Sequence, residues 1–186
     1  MTTPQERTSR RIAVLVAAEG IEQVELTDPW KALTEAGWEP VLVSPESGSV
    51  QAFNHLEAAD TFPVDQTVAD ADVRDFAGLL LPGGVANPDA LRLDAPAVAL
   101  ARSFVEQDRP VAAICHAIWV LVEADVLSGR RVTSFPSLQT DVRNAGGTWV
   151  DEEVVRDGRL VTSRKPDDIP AFTAAFLEVL GADDHA

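Results

Sequence analysis

Short apolar runs recur along the chain, separated by segments whose apolar residues fall at helical spacing. Ile12 to Ala18 is apolar throughout, the mark of a strand buried on both faces. Glu22 to Ala36 places Val24, Leu26, Trp30 and Leu33 at helical spacing and stops at Gly37, with Pro29 as a kink or a late start. Trp38 to Val43 predicts a second strand, and the weak alternation of Val50 to Val64 predicts a hairpin or an edge excursion. Gly78 to Leu81 is another buried strand, closed by Pro82-Gly83-Gly84.

The second half repeats this alternation. Ala95 to Gln107 reads as a helix with Val98, Ala101, Phe104 and Val105 on one side, Asp94 as its N-cap and Pro96 in its first turn. Pro110 to Ile114 is a short apolar strand. Cys115 follows it directly, and His116 to Glu123 is the next helix. Val132 to Ser134 and Leu138 to Ala145 add a strand and a helix. Trp149 to Val161 reads as two short strands around Asp157-Gly158, and Ile169 to Leu180 as a last amphipathic helix. Such a succession predicts an α/β fold, a mostly parallel sheet with helices on both faces. Sheets of this kind bind ligands beyond the carboxyl ends of their strands. Three segments stand at such ends: Glu19 to Glu22, Pro82 to Gly84, and Cys115-His116.

Composition narrows the picture. At 186 residues, 46% of them hydrophobic and 24% charged, the chain suits one domain with its own core. Met1 to Ser9 reads as a disordered arm, residues 10–180 as a single domain, and Gly181 to Ala186 as a frayed acidic tail. The formal net charge of −15 repels phosphate backbones and anionic lipid, so neither nucleic acid nor membrane is an expected partner. Met1 to Arg11 is polar and is not read as a signal peptide, and no apolar run approaches a membrane span. The one cysteine, Cys115, excludes an internal disulfide, which suits a reducing cytoplasm. No G-x-G-x-x-G follows the first strand and no phosphate-cradling P-loop is present. The histidines His55, His116 and His185 are scattered and make no zinc set with a single cysteine, so no cofactor or metal is expected.

The informative segment is Ala113-Ile114-Cys115-His116-Ala117. A nucleophile elbow is a sharp strand-to-helix turn that lifts one side chain above the sheet and needs small flanks, here Ala113 and Ala117. At the N-terminus of the following helix, the dipole is expected to favour thiolate and lower the thiol pKa. Backbone N–H groups there stabilise an oxyanion or a sulfenate. The alternative is a buried structural cysteine. His116 is either a base or a helix-start residue. Gly83-Gly84 is either a plain turn or a place where the backbone comes close to a ligand and presents an N–H. Glu22 is either an early helix acid or a partly buried carboxyl against Cys115, its pKa raised by burial so that it donates to sulfur.

Four stretches together resemble the PfpI-type intracellular proteases, within the superfamily of the parkinsonism-associated deglycase. They are Ile21-Glu22-Gln23-Val24-Glu25-Leu26, Leu81-Pro82-Gly83-Gly84, Ala113-Ile114-Cys115-His116 and Asn144-Ala145-Gly146-Gly147-Thr148-Trp149-Val150-Asp151. The resemblance spans Ile12 to Leu180. It implies a flavodoxin-like three-layer sandwich that forms a homodimer or a larger homo-oligomer. It implies that Cys115 is the nucleophile, that Glu22 is the carboxyl beside it, and that the N–H groups of Gly84 and His116 line an oxyanion pocket. It also implies a cofactor-independent, cytoplasmic, stress-protective enzyme that uses Cys115 on reactive carbonyls or glycation adducts. Its alternatives are a non-enzymatic protein with a readily oxidised Cys115 and a cysteine peptidase. The chain departs from the pattern at several places. Ala117-Ile118 replaces Gly-Pro after the Cys-His pair, Trp119 adds bulk near the pocket, and Phe135 replaces a tyrosine in a chain with none. The glutamate that a neighbouring subunit supplies to the histidine in those proteases matches Asp89, in a loop one residue longer.

Overall fold

A computed structural model describes residues 9–181. The expected arm and tail fall outside the described residues, apart from Ser9, whose hydroxyl donates to Asp75 O at 2.6 Å, and Gly181, which ends the last helix. In chain order the strands are β1 (Arg11–Leu15), β2 (Glu19–Glu22), β3 (Glu39–Ser44), β4 (Ser49–Asn54), β5 (Glu57–Pro63), β6 (Gln66–Thr67), β7 (Gly78–Leu81), β8 (Val111–Ile114), β9 (Arg131–Val132), β10 (Thr148–Trp149), β11 (Val154–Asp157) and β12 (Leu160–Ser163). The α-helices are α1 (Gln23–Glu35), α2 (Ala86–Leu91), α3 (Ala95–Glu106), α4 (Ile118–Glu123), α5 (Gln139–Asn144) and α6 (Ile169–Gly181).

The main sheet runs in the order β11-β12-β8-β7-β1-β3-β6, parallel except for β11. Its central strands are apolar on both faces because helices cover both. Leu42, Val14, Leu80, Ala112 and Val161 stand in register across the sheet and face α1 and α6, whose Leu26, Leu33, Phe172 and Phe176 close that core. The alternate residues, among them Ala13, Leu15, Leu79, Leu81 and Ala113, face Phe104 of α3 and Val120 and Leu121 of α4. This is the three-layer α/β sandwich the pattern predicts. None of the described helices is long and apolar enough to cross a membrane.

The strands and helices sit close to their predicted places, and Asp94 caps α3 by accepting from Ala97 N–H at 2.8 Å. Four details differ. Pro29 lies inside α1, which begins ahead of it. The strand expected at Val132 to Ser134 shortens to β9 and pairs with β10 outside the main sheet. Trp149 belongs to β10, so the hairpin around Asp157-Gly158 begins only at Val154. The segment after Cys115 opens as a 3-10 turn, Cys115–Ala117, before α4. The β4–β5 hairpin forms a separate sheet with β2, a strand too short and too polar to stand out by pattern. Its pairing carries the chain from β1 into the first turn of α1, above the carboxyl ends of β7 and β8.

Candidate active site

Cys115 leaves β8 with φ of +63°, in a left-handed region that non-glycine residues rarely occupy. The sharp turn is held from outside by Phe135 N–H, which donates to Cys115 O at 3.1 Å. The side chain is 7% exposed, so it is sheltered without being sealed. The small flanks do what the sequence requires of them, since Ala113 and Ala117 are buried against the core.

The carboxyl beside the thiol is that of Glu25, not Glu22. Helix α1 begins at Gln23, and its buried face carries Glu25, Leu26, Pro29 and Leu33. Glu25 is thus a polar residue placed on the core-facing stripe one turn ahead of Pro29. Its Oε2 accepts Gly83 N–H at 2.9 Å, and Oε1 is buried without a hydrogen-bond partner. Burial raises its pKa to about 8, against the weaker downward pull of the Cys115 thiol and the N–H groups of Gly83 and Gly84. At neutral pH the carboxyl therefore holds its proton. Glu22, three residues earlier, has extended backbone and turns outward, where its Oε2 accepts His55 N–H at 3.1 Å from the tip of the β4–β5 hairpin. It anchors that hairpin and adds a repulsive charge that helps to raise the pKa of Glu25.

The thiol itself does not follow the helix-dipole expectation. Burial pushes its pKa well above the ordinary value, the charge of an ionised Glu25 pushes the same way, and the N–H groups of His116 and Gly84 oppose both. A single 3-10 turn followed by the six residues of α4 supplies too weak a field to win. The two sites are coupled. A carboxylate beside the sulfur disfavours thiolate, whereas a protonated Glu25 removes that repulsion and becomes a donor to sulfur.

His116 Nδ1 lies 3.2 Å from Cys115 Sγ, and its Nε2 lies 3.5 Å from Ser137 Oγ. Its ring stacks on Phe135 with centroids 4.6 Å apart and meets the edge of Trp119 at 5.3 Å. Burial in this aromatic box lowers the imidazole pKa, so the ring is neutral at neutral pH and has a lone pair to offer the thiol proton. The distorted elbow brings adjacent residues 115 and 116 into side-chain contact, which a regular helix does not allow.

Gly83 and Gly84 form the opposite wall. A Cβ on Gly83 would stand 2.7 Å from Cys115 Cβ and 2.8 Å from Ile114 O, as well as against Glu25 Oε2. Gly84 has φ of +81° and packs on the backbone of Gly20 and Glu22, which leaves no room for a side chain. Trp119 stands behind His116, with its indole N–H donating to Asp141 Oδ2 at 2.9 Å. Asp89 lies on the exposed side of α2, and its backbone N–H bonds Val85 O at 3.3 Å. The structure thus brings together Cys115, His116, Gly83 and Gly84. It leaves Glu22 at the hairpin and Asp89 at the surface. Pattern reading missed Glu25, Asn87 and Ser137. The first was legible in the spacing of residues 25, 29 and 33.

A cavity of about 220 Å³ beside α1, walled by Leu26, Trp30, Leu42 and Phe62, includes neither Cys115 nor His116. Among the described residues no three His, Cys, Asp or Glu side chains cluster so as to hold a metal ion.

Comparisons with known proteins identify the family of the chain. The family model described as DJ-1/PfpI matches residues 10–179. The protein/nucleic acid deglycase 2 of Escherichia coli is 41% identical over 175 residues, which cover 94% of this chain and 99% of the relative. General stress protein 18 of Bacillus subtilis is 41% identical over 172 residues, 92% of this chain and 98% of the relative. The crystal structure of Drosophila melanogaster DJ-1beta superposes with a TM-score of 0.82 at 29% identity, covering 93% of this chain and 91% of that one. With a single cysteine at a strained strand-to-helix turn and the family's sequence and fold along nearly the whole described length, this chain belongs to the DJ-1/PfpI family.

Proposed function

We propose that the protein is a cofactor-independent thiol enzyme that converts small 2-oxoaldehydes, and their early adducts with amines, to hydroxy acids. The observation that carries this reading is the contact of one sulfur with two proton carriers of opposite habit, the protonated Glu25 carboxyl and the neutral His116 imidazole. The names of two relatives, a deglycase and a general stress protein, support the same class of chemistry.

With methylglyoxal, Cys115 Sγ attacks the aldehyde carbon while His116 Nδ1 takes the thiol proton and Glu25 gives its own to the aldehyde oxygen. The product is a hemithioacetal, with the N–H groups of Gly84 and His116 beside the sulfur as donors for developing negative charge. The Glu25 carboxylate then removes the proton from C1 as His116 protonates the oxygen on C2, giving an enediol. Return of the proton from Glu25 to C2, with loss of the C1 hydroxyl proton to His116, leaves a lactoyl thioester. Water hydrolyses it to lactate and frees the thiol. Atoms balance as methylglyoxal plus water to lactic acid.

The test is lactate formation by freshly reduced protein, wild type beside Cys115→Ser. Turnover in the wild type and its loss in the variant is the expected result. Equal rates in both would overturn the mechanism, and no turnover in either would overturn the assigned activity.

A second reading is favoured by the same carboxyl. A protonated, buried Glu25 is a donor for a sulfenate or sulfinate on Cys115, and with no second cysteine in the chain no internal disulfide resolves it. Stoichiometric peroxide should then add oxygen to Cys115 alone. Oxidation of Met1 ahead of an inert Cys115 would refute it.

A further inference from the structure

The Gly83–Gly84 wall has to aim two N–H groups, one at Glu25 and one at sulfur. Yet a glycine pair is the least self-ordering piece of backbone a chain offers. Something outside the turn must fix it. Asn87, in the first turn of α2, is fully buried, and its amide is engaged on both sides. Its Oδ1 accepts Ala17 N–H at 2.7 Å, where the chain has just left β1. Its Nδ2 donates to Pro82 O at 2.9 Å and to Gly83 O at 3.0 Å.

Those two carbonyls are the informative partners. In a planar trans peptide the C=O of one residue and the N–H of the next point in opposite directions. No peptide bond among the described residues is cis. Holding Pro82 O therefore aims the N–H of Gly83, which is the donor to Glu25 Oε2. Holding Gly83 O aims the N–H of Gly84, which acts on both the Glu25 carboxyl and the Cys115 sulfur. One side-chain amide thus sets two peptide planes, and it is itself anchored to the exit of β1.

We infer that Asn87 is a positioning residue whose amide grips Pro82 O and Gly83 O and so fixes the direction of the two N–H groups that serve Glu25 and Cys115. It touches no reacting atom. The inference deepens the proposed thiol chemistry and rests on it only for the kinetic part of the test. A residue that merely fills space would affect folding and leave the protonation of the Cys115–Glu25 pair alone.

The experiment measures the rate of Cys115 alkylation by iodoacetamide against pH in wild type, Asn87→Asp and Asn87→Ser, with circular dichroism and thermal unfolding to establish that each is folded. Asn87→Asp keeps an acceptor for Ala17 N–H but sets an oxygen against two carbonyls. Asn87→Ser is too short to reach all three partners. The expected result is a shift of the alkylation profile by about one pH unit or more in a folded variant. If the wild type turns over methylglyoxal, kcat should fall about 100-fold with little change in KM. A folded variant with the wild-type alkylation profile would overturn the inference, whether or not any carbonyl substrate is turned over. Should neither variant fold, NMR of the wild type decides. The Asn87 side-chain amide signals should move together with the Gly83 and Gly84 amides as the pair titrates, and an Asn87 signal that stays still would overturn the assignment.

Discussion

Glu25 and Asp72 carry the same functional group and behave in opposite ways. Asp72 stands in the link between β6 and β7, in water, where the Arg74 guanidinium donates to Oδ1 at 3.0 Å and to Oδ2 at 2.5 Å. That contact holds its pKa at about 2, below the ordinary carboxylate range. Glu25 lies under the site with a thiol and backbone N–H groups for company, and no cation is among the groups that act on it. Burial dominates there and its pKa rises to about 8. The first is an anion at every pH a cell meets, and it can only accept hydrogen bonds. The second holds a proton at neutral pH and can give it or take it back, which is what an enediol mechanism or a sulfur oxyacid asks of its neighbour.

The sharpest way to break the contrast is Glu25→Gln. It keeps size and a donor but removes titration. The folded-state pKa of Glu25 is raised above its unfolded value of 4.5, so its contribution to stability is fully present below that value and is lost as pH rises through about 8. The span amounts to about 5 kcal/mol if the shift acts in full. The unfolding free energy of the wild type, measured with denaturant, should fall steadily from about pH 5 to about pH 8 and level off above that. The variant should show a much flatter curve, with turnover down about 100-fold.

Gly83→Ala tests the wall that touches Glu25. A Cβ so close to Ile114 O and Cys115 Cβ meets backbone on one side and the cysteine side chain on the other. Unfolding free energy should fall by about 3 kcal/mol, and Cys115 should lose its normal alkylation profile. The smallest effect should come from Asp72→Asn. The pair is exposed and screened, so the unfolding midpoint at neutral pH should not move measurably. Because the pKa of Asp72 is depressed, any contribution is present above its ordinary value of 3.8 and disappears as pH falls through about 2. A large effect at neutral pH would show that solvent exposure is not what separates the two carboxyls.

Most of the frame could be read from the chain because buried parallel strands announce themselves as unbroken apolar runs. Ile12 to Leu15, Gly78 to Leu81 and Val111 to Ile114 all did so. The elbow was legible for a related reason, since only small neighbours permit it. The sequence points to Glu22 rather than Glu25 because the phase of α1 depends on where β2 ends. That strand is fixed by pairing with β4 and not by its own residues. The thiol's raised pKa is not legible in the sequence because a dipole argument counts only the helix that follows. The burial that raises the thiol pKa, and the Glu25 carboxyl that adds to it when ionised, come from elements outside that helix. Asn87 gives no signal at all, as its value lies in two carbonyls of the preceding turn and in Ala17 N–H, far away in the chain.

The edge contact between Trp119 and His116 gives the site an optical reporter of its own. The chain has four tryptophans and no tyrosine, so its ultraviolet emission is indole light alone. An imidazolium beside an indole quenches it, whereas a neutral imidazole does so far less. Because burial lowers the pKa of His116, the Trp119 share of that light should dim only on the acid side of the ordinary histidine range. Removal of the indole by Trp119→Phe would identify that share. The charge of His116 could then be followed without a label, during turnover of any substrate the protein accepts.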